Sequence, residues 1–250
     1  MATKIEWTDK VWNPVTGCAK VSEACRNCYA EAMTRRLQKM PGSAEKYRNG
    51  FNVTTHIGCL EEPFEWKKPS MVFVCSMSDL FHEDVPFSFI DMVMNVIREC
   101  PQHTFQILTK RAKRLFDYYY FHIKVCDKPK NVWLGVTCEN ASHYDRIALL
   151  RMTSADNVKF ISCEPLLGPM NDINLKGIDW VITGGESGPR ARRTPTEHFI
   201  GLRDACCRWN TPFFFKQWGA WGEDGIRQSK YKNGHLLDGE AYRMMPGDTW

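Results

Sequence analysis

The chain has 250 residues, enough for one barrel or one large α/β domain with a sizeable core. Its 43% hydrophobic and 25% charged residues are ordinary globular values, which excludes a disordered or fibrous chain. A net charge of +4 permits a nucleotide or nucleic-acid partner without demanding one, and falls far short of a dedicated DNA-coating protein.

No run approaches the roughly eighteen apolar residues of a membrane span, so no membrane partner is expected. The segment Met1–Trp7 has no apolar run of signal-peptide type, and the expectation is a cytoplasmic protein. A first strand is expected within Lys10–Gly17. Directly after it come Cys18, Cys25 and Cys28, and then Tyr29, which opens a helix to about Met40. Residues 41–69 read as irregular.

From there a strand signal recurs with helical segments between. Nearly continuous apolar runs at Met71–Cys75, Thr104–Leu108, Val132–Val136, Val158–Cys163, Trp180–Thr183 and Pro212–Lys216 predict parallel strands buried on both faces. Helices are expected from Ser88 with Asp91 through Ile97, over Lys110–Tyr120 and over Ser142–Arg151. A fourth begins at Thr194-Pro195-Thr196-Glu197, read as a capping threonine, a first-turn proline and a glutamate three after the cap. Phe199, Leu202 and Cys206 then share one face.

Alternating β and α without a composition break predicts one parallel α/β domain, either barrel-like or doubly wound. Six or seven strands suit a partly open barrel over residues 1–218. Residues 219–250, rich in glycine and charge, read as an irregular extension packed on the same domain.

Ligands in such folds bind at the carboxyl ends of strands. There the chain places Ser76, Ser78 and Asp79; Thr109, Lys110 and Arg111; Thr137 and Glu139; Ser162, Glu164 and Pro165; Gly184 through Arg190; and Lys216, Gln217 and Trp218. Nearly every strand thus ends in polar or charged residues, as a ligand-binding rim requires. In Gly184–Arg193 the glycines allow close backbone approach, and Arg190, Arg192 and Arg193 suit a phosphate or carboxylate; a tight turn with a solvated basic helix start is the plainer alternative. Lys110, Arg111, Lys113 and Arg114 read either as a solvated helix face or, with Tyr118, Tyr119 and Tyr120, as a track for a nucleic-acid backbone with stacked bases.

Three thiols within eleven residues can hold three corners of a [4Fe–4S] cluster and leave one iron open for a non-protein ligand. Zinc is the competing reading, with His56 or Cys59 as a fourth ligand; three unligated buried cysteines are the plainest. The other eight cysteines (Cys59, Cys75, Cys100, Cys126, Cys138, Cys163, Cys206 and Cys207) are scattered. They read as small buried hydrophobes in a reducing compartment, and the odd total argues against a fully paired disulfide framework.

On Ile5-Glu6-Trp7-Thr8, Trp12-Asn13-Pro14, Gly17-Cys18, Cys25-x-x-Cys28-Tyr29-Ala30, Gly184-Gly185-Glu186-Ser187-Gly188 and Phe215-Lys216-Gln217-Trp218-Gly219, the chain resembles the phage three-cysteine-motif family, which is radical-SAM-like. The departure from the usual radical S-adenosylmethionine (SAM) signature is six residues between the first two cysteines where three are usual. The resemblance implies a partial (βα)6-type parallel barrel of the radical SAM kind and cluster ligands Cys18, Cys25 and Cys28. It also implies S-adenosyl-L-methionine as a second cofactor, cleaved reductively to a 5′-deoxyadenosyl radical, and an electron donor such as flavodoxin or ferredoxin.

By strand position within that implied site, Ser76, Ser78 and Asp79 are assigned to the methionine end of the cofactor and Thr137 and Glu139 to its ribose. Ser162 and Glu164 go to the cofactor or substrate. Lys110, Arg111, Glu186, Arg190, Arg192 and Lys216 are assigned to substrate. The implied substrate is a modified thymine in phage DNA, with an isomerase-type rearrangement of an attached amino acid. A zinc-stabilised nucleic-acid-binding protein and a radical SAM DNA photoproduct lyase are the alternatives.

Overall fold

The computed structural model describes residues 3, 5–153 and 156–250. The N-terminal reading above therefore rests partly on Met1, Ala2 and Lys4, which lie outside the described residues. Two compact units divide the chain. One comprises Met1–Val21, Cys28–Gly135 and Met152–Asn157, the other Ser22–Asn27, Val136–Arg151 and Val158–Trp250.

The first unit carries β1 (Lys10–Trp12), β2 (Val15–Thr16), α1 (Tyr29–Leu37), β3 (Thr54–Thr55), β4 (Met71–Val74), α2 (Phe87–Glu99), β5 (Thr104–Thr109) and α3 (Ala112–Asp117). The expected strand within Lys10–Gly17 is two short strands. β1 joins the main sheet and β2 pairs antiparallel with β3. β6 (Val132–Thr137) crosses from the first unit to the second, which also holds α4 (Tyr144–Arg151), β7 (Lys159–Cys163), β8 (Trp180–Gly184), α5 (Thr196–Arg208), β9 (Phe213–Gln217) and the single turn α6 (Lys230–Asn233).

Among the described residues, seven strands are hydrogen-bonded in the order β1-β4-β5-β6-β7-β8-β9. The β1–β4, β4–β5, β7–β8 and β8–β9 pairs are parallel. Parallel neighbours need a crossover, and α2, α3, α4 and α5 supply four of them, so the chain is a parallel α/β protein. Every residue of β7 and of β8 is buried, which is why those segments read as unbroken apolar runs rather than alternating ones. No helix among the described residues is long and apolar enough to cross a membrane.

In the first unit, Phe89, Ile90, Val93, Met94 and Ile97 of α2 recur at helical spacing and are all buried. Asn131 closes that helix, its Nδ2 donating to the carbonyls of Ile97 at 2.9 Å and Cys100 at 3.0 Å. α2 begins at Phe87 behind Pro86, one residue before the expected start at Ser88. α3 runs into a π-helical turn over Tyr118–His122. That turn buries Tyr118 and Tyr119 completely and leaves Tyr120 exposed. Of the two readings of this segment, the base-stacking row of three tyrosines is therefore corrected: two of the three are core, and Tyr118 donates to Asp91 at 2.7 Å.

In the second unit, α5 buries Phe199, Leu202, Ala205 and Cys206. Phe199 meets Phe215 and Trp218 edge-on, both at 5.2 Å between ring centres. The expected cap is also corrected. Pro195 stands at the cap position of α5, and Thr194 instead donates its hydroxyl to Leu166 O at 2.6 Å. The segment after Trp218 is held to β9. Phe215 N donates to Tyr242 O at 3.0 Å, Met244 N to Phe213 O at 3.2 Å, and the indole of Trp180 to Met244 O at 2.7 Å.

Candidate functional site

The first cysteine is launched by a tight turn. Gly17 has φ +81°, and a β-carbon there would stand 2.2 Å from Asn52 O, so only glycine fits. Gly17 N donates to Met77 O at 3.2 Å and Cys18 N to Phe51 O at 3.1 Å, fixing the chain as it leaves β2.

Onto this turn comes Arg111. Its guanidinium is nearly inaccessible and donates to Cys18 Sγ at 3.5 Å, to Ala19 O at 3.2 Å, to Asp79 at 3.1 Å and to Glu83 at 2.7 Å. Asp79 also accepts from Thr109 Oγ at 2.7 Å and from the backbone N–H groups of Phe81 and Lys110 at 3.0 and 3.1 Å. Burial works against the Arg111 charge, yet Asp79, Glu83 and the Cys18 sulfur together hold it firmly protonated. The structure thus brings Asp79 and Arg111 together as an ion pair bracing Cys18. Ser76 and Ser78 are likewise engaged, donating to Asn13 Oδ1 at 3.1 Å and to Val15 O at 2.7 Å, while the Tyr29 hydroxyl donates to Ser76 O.

In the second unit the middle of the cysteine loop is held by Glu186 and Arg192. Arg192 forms a two-pronged pair with Glu186, at 2.6 Å to Oε1 and 2.9 Å to Oε2, and its backbone N–H adds a third bond at 2.7 Å. The same guanidinium donates to Glu23 O at 3.0 Å, and Asn27 Nδ2 reaches Glu186 at 3.1 Å and Arg190 O at 2.8 Å. Burial pushes Glu186 up, but the Arg192 and Asn27 hydrogen bonds outweigh it and hold the carboxyl below its ordinary range. Arg190 itself is exposed.

Gly185 permits this arrangement: a β-carbon there would lie 1.9 Å from Trp218 O. Gly185 N donates to Gln217 O and Ala220 N to Glu186 O, both at 2.9 Å, so two motif stretches distant in sequence are one built structure.

Glu139 is fully buried and pairs with Arg146 at 2.9 Å and His143 at 3.2 Å. Burial raises its carboxyl, and a hydrogen bond from Ser22 with the Arg146 charge carries it below the ordinary value. Arg146 also donates to Thr137 O at 2.8 Å, and Thr137 is buried. Ser162, Glu164 and Lys216 form a third group. Lys216 Nζ lies 2.7 Å from Glu164 Oε1 and the Ser162 hydroxyl 3.3 Å from Glu164 Oε2, with both charged side chains partly accessible. Lys110 is half-buried and gives its backbone N–H to Asp79.

Cys18, Cys25 and Cys28 are half-buried thiols. Among the described residues, no three His, Cys, Asp or Glu side chains are gathered to hold a metal ion. The donor chemistry nonetheless fits an iron–sulfur cluster: three thiols within eleven residues, one of them receiving a cationic N–H donor from Arg111. The fourth-ligand candidates of the zinc reading are engaged elsewhere, His56 with the Thr16 hydroxyl at 2.8 Å and Cys59 with Lys46 at 3.0 Å.

One feature has no signature in the sequence. A cavity of about 360 Å³ is lined by Ser187, Gly188, Pro189, Arg227, Ser229 and Lys230 among others. Its cations come from the irregular tail, where no periodic pattern marks them.

The chain is similar to solved structures of spore photoproduct lyase. A cysteine-to-serine mutant of that enzyme aligns with TM-score 0.51 and 13% identity, over 91% of this chain and 69% of the other. The lyase complexed with dinucleoside spore photoproduct aligns with TM-score 0.46 and 10% identity, over 76% of this chain and 58% of the other. A mutant with bound AdoMet and the same dinucleoside gives 0.46 and 10%, over 78% and 60%. The chain thus spans about three fifths of the length of the last two. No curated protein matches. The first likeness shows the fold, a parallel half-barrel of the radical SAM kind, as expected from the sequence. A family model described as "Protein of unknown function (DUF5131)" matches residues 2–246, and the chain belongs to that family.

Proposed function

We propose that this chain is a radical SAM enzyme, with Cys18, Cys25 and Cys28 as ligands of a [4Fe–4S] cluster and S-adenosyl-L-methionine at the strand ends. The observation that carries the reading is the cysteine triplet, which follows β1, an outer strand of a sheet of the radical SAM kind. When bound, such a cluster supplies the electron that cleaves the cofactor's carbon–sulfur bond.

The residues divide by what their side chains contact. Arg111 with Asp79, Arg192 with Glu186, and Glu139 with Ser22 act on the cysteine loop and orient it. Glu164 and Lys216, paired yet partly accessible, are the groups able to touch cofactor or substrate and to exchange a proton at Lys216 Nζ. Arg190, Lys110 and the cationic cavity lining suit substrate phosphate.

The substrate proposed is a modified thymine in phage DNA, undergoing isomerase-type rearrangement of an attached amino acid; this rests on the motif resemblance to the phage family. A flavodoxin or ferredoxin would deliver the electron. A second reading, repair of a DNA photoproduct, is favoured by the fold shared with spore photoproduct lyase.

Anaerobic reconstitution tests the core proposal. Wild-type chain is expected to bind about four irons and turn brown. It should then cleave S-adenosylmethionine reductively, while Cys25→Ala does not; a colourless product, or cleavage retained in the variant, overturns the assignment. Mass spectrometry of nucleosides separates the substrates: phage-type DNA altered by the enzyme supports the first reading, and loss of dimers from ultraviolet-treated DNA supports the second.

A further inference from the structure

A nucleophile cluster lies outside the cysteine triplet and is used by none of the roles above. Cys59 ends a 3₁₀ turn over Ile57–Cys59, and its carbonyl is pinned by the Trp12 indole at 2.7 Å. Lys46, thirteen residues earlier, brings Nζ to 3.0 Å from Cys59 Sγ. Glu62 stands beside both groups, 3.8 Å from Nζ and within hydrogen-bonding reach of the Cys59 thiol. The thiol is half-buried and the Lys46 and Glu62 side chains are partly accessible, so a small solute can reach the sulfur. His56 and Tyr47 complete the surroundings.

We propose that Cys59 and Lys46 are an oxidative modification site, joined by a covalent sulfur–nitrogen bond when the protein meets a peroxide. In the first step the Cys59 sulfur attacks the peroxide, a sulfur–oxygen bond forms and the oxygen–oxygen bond breaks. The sulfur is oxidised to a sulfenic acid and one water leaves. Lys46 passes its extra proton to Glu62 and becomes a neutral amine. Its nitrogen then attacks the sulfenic sulfur, the sulfur–oxygen bond breaks, and the departing hydroxide takes an amine proton as a second water. The chain loses two hydrogens and one peroxide becomes two waters. Two equivalents of a thiol reductant reverse the bond, restoring thiol and amine.

Three observations favour this pair over other cysteines. The nitrogen is already in contact with the sulfur, a carboxylate is placed to take the proton, and the pinned backbone keeps Cys59 from turning away. Burial pushes the Cys59 thiol up, and Glu62 adds to this while Lys46 pulls it back, so the reaction is slow and depends on the lysine. The joint would close the loop containing Phe51, whose carbonyl receives the Cys18 N–H at 3.1 Å.

The test is peptide mapping of the intact full-length chain after hydrogen peroxide. The expected product joins the Lys46 and Cys59 peptides, is two hydrogens lighter than their sum, and disappears with dithiothreitol. The same joint with one extra oxygen, which consumes a second peroxide and releases a third water, also supports the pairing. Lys46→Arg keeps the cation and the hydrogen bond but is no nucleophile; it should abolish the joint and leave Cys59 sulfenic or further oxidised. Cys18→Ser should leave the joint intact. Cys59 recovered as thiol, or as sulfinic acid beside an unmodified Lys46, overturns the proposal, as does an undiminished joint in Lys46→Arg.

Discussion

Arg111 shows how far position alone misleads. At a strand end, in a basic run, it reads as a substrate contact. Its side chain instead turns back to Asp79, thirty-two residues earlier, and grips the Cys18 turn. Nothing local in sequence announces that pairing, because it depends on β4 and β5 lying side by side. Removing one partner of a buried ion pair costs about 3–5 kcal/mol. Asp79 keeps three other donors, so Arg111→Met should fall near the lower end, read as a shift in the denaturant midpoint at unchanged slope. Asp79→Asn on that background should recover part of the loss, since it removes the stranded charge.

Elements fared better than side chains. The six apolar runs were legible as strands because residues buried on both faces leave no room for polar alternation. Helix starts were less legible: both Pro86 and Pro195 occupy cap positions where a serine or threonine was expected nearby. The loop following β8 was recognisable by its glycines, but its acid–base partners were not, since Glu186 and Arg192 look from sequence like two ligand-binding groups rather than one pair. Glu186 is held below its ordinary value, so its contribution to stability is complete above the unfolded-state pKa, about 4.3, and is lost as pH falls through the lower folded value. Glu186→Gln should therefore lower Tm at neutral pH and flatten its decline below about pH 4, measured by thermal melts at several pH values. An unchanged acid slope would mean the carboxyl carries no such linkage.

At the scale of the molecule, the cysteine triplet and the polar strand ends are legible in the sequence, because both are contiguous there. What holds the loop in place is not, since each clamp joins segments more than ninety residues apart. The segment after Trp218 carries no periodic pattern, yet its backbone covers a sheet edge. β9 is a terminal strand of the sheet, and a bare outer strand invites other chains to pair with it. Residues 242–244 run antiparallel along β9 and occupy its outward N–H and C=O groups, so the tail acts as a guard against self-association. A chain ending at residue 240 should keep its β9 residues but lose their cover, and light scattering should show it aggregating at concentrations where the full chain stays dispersed.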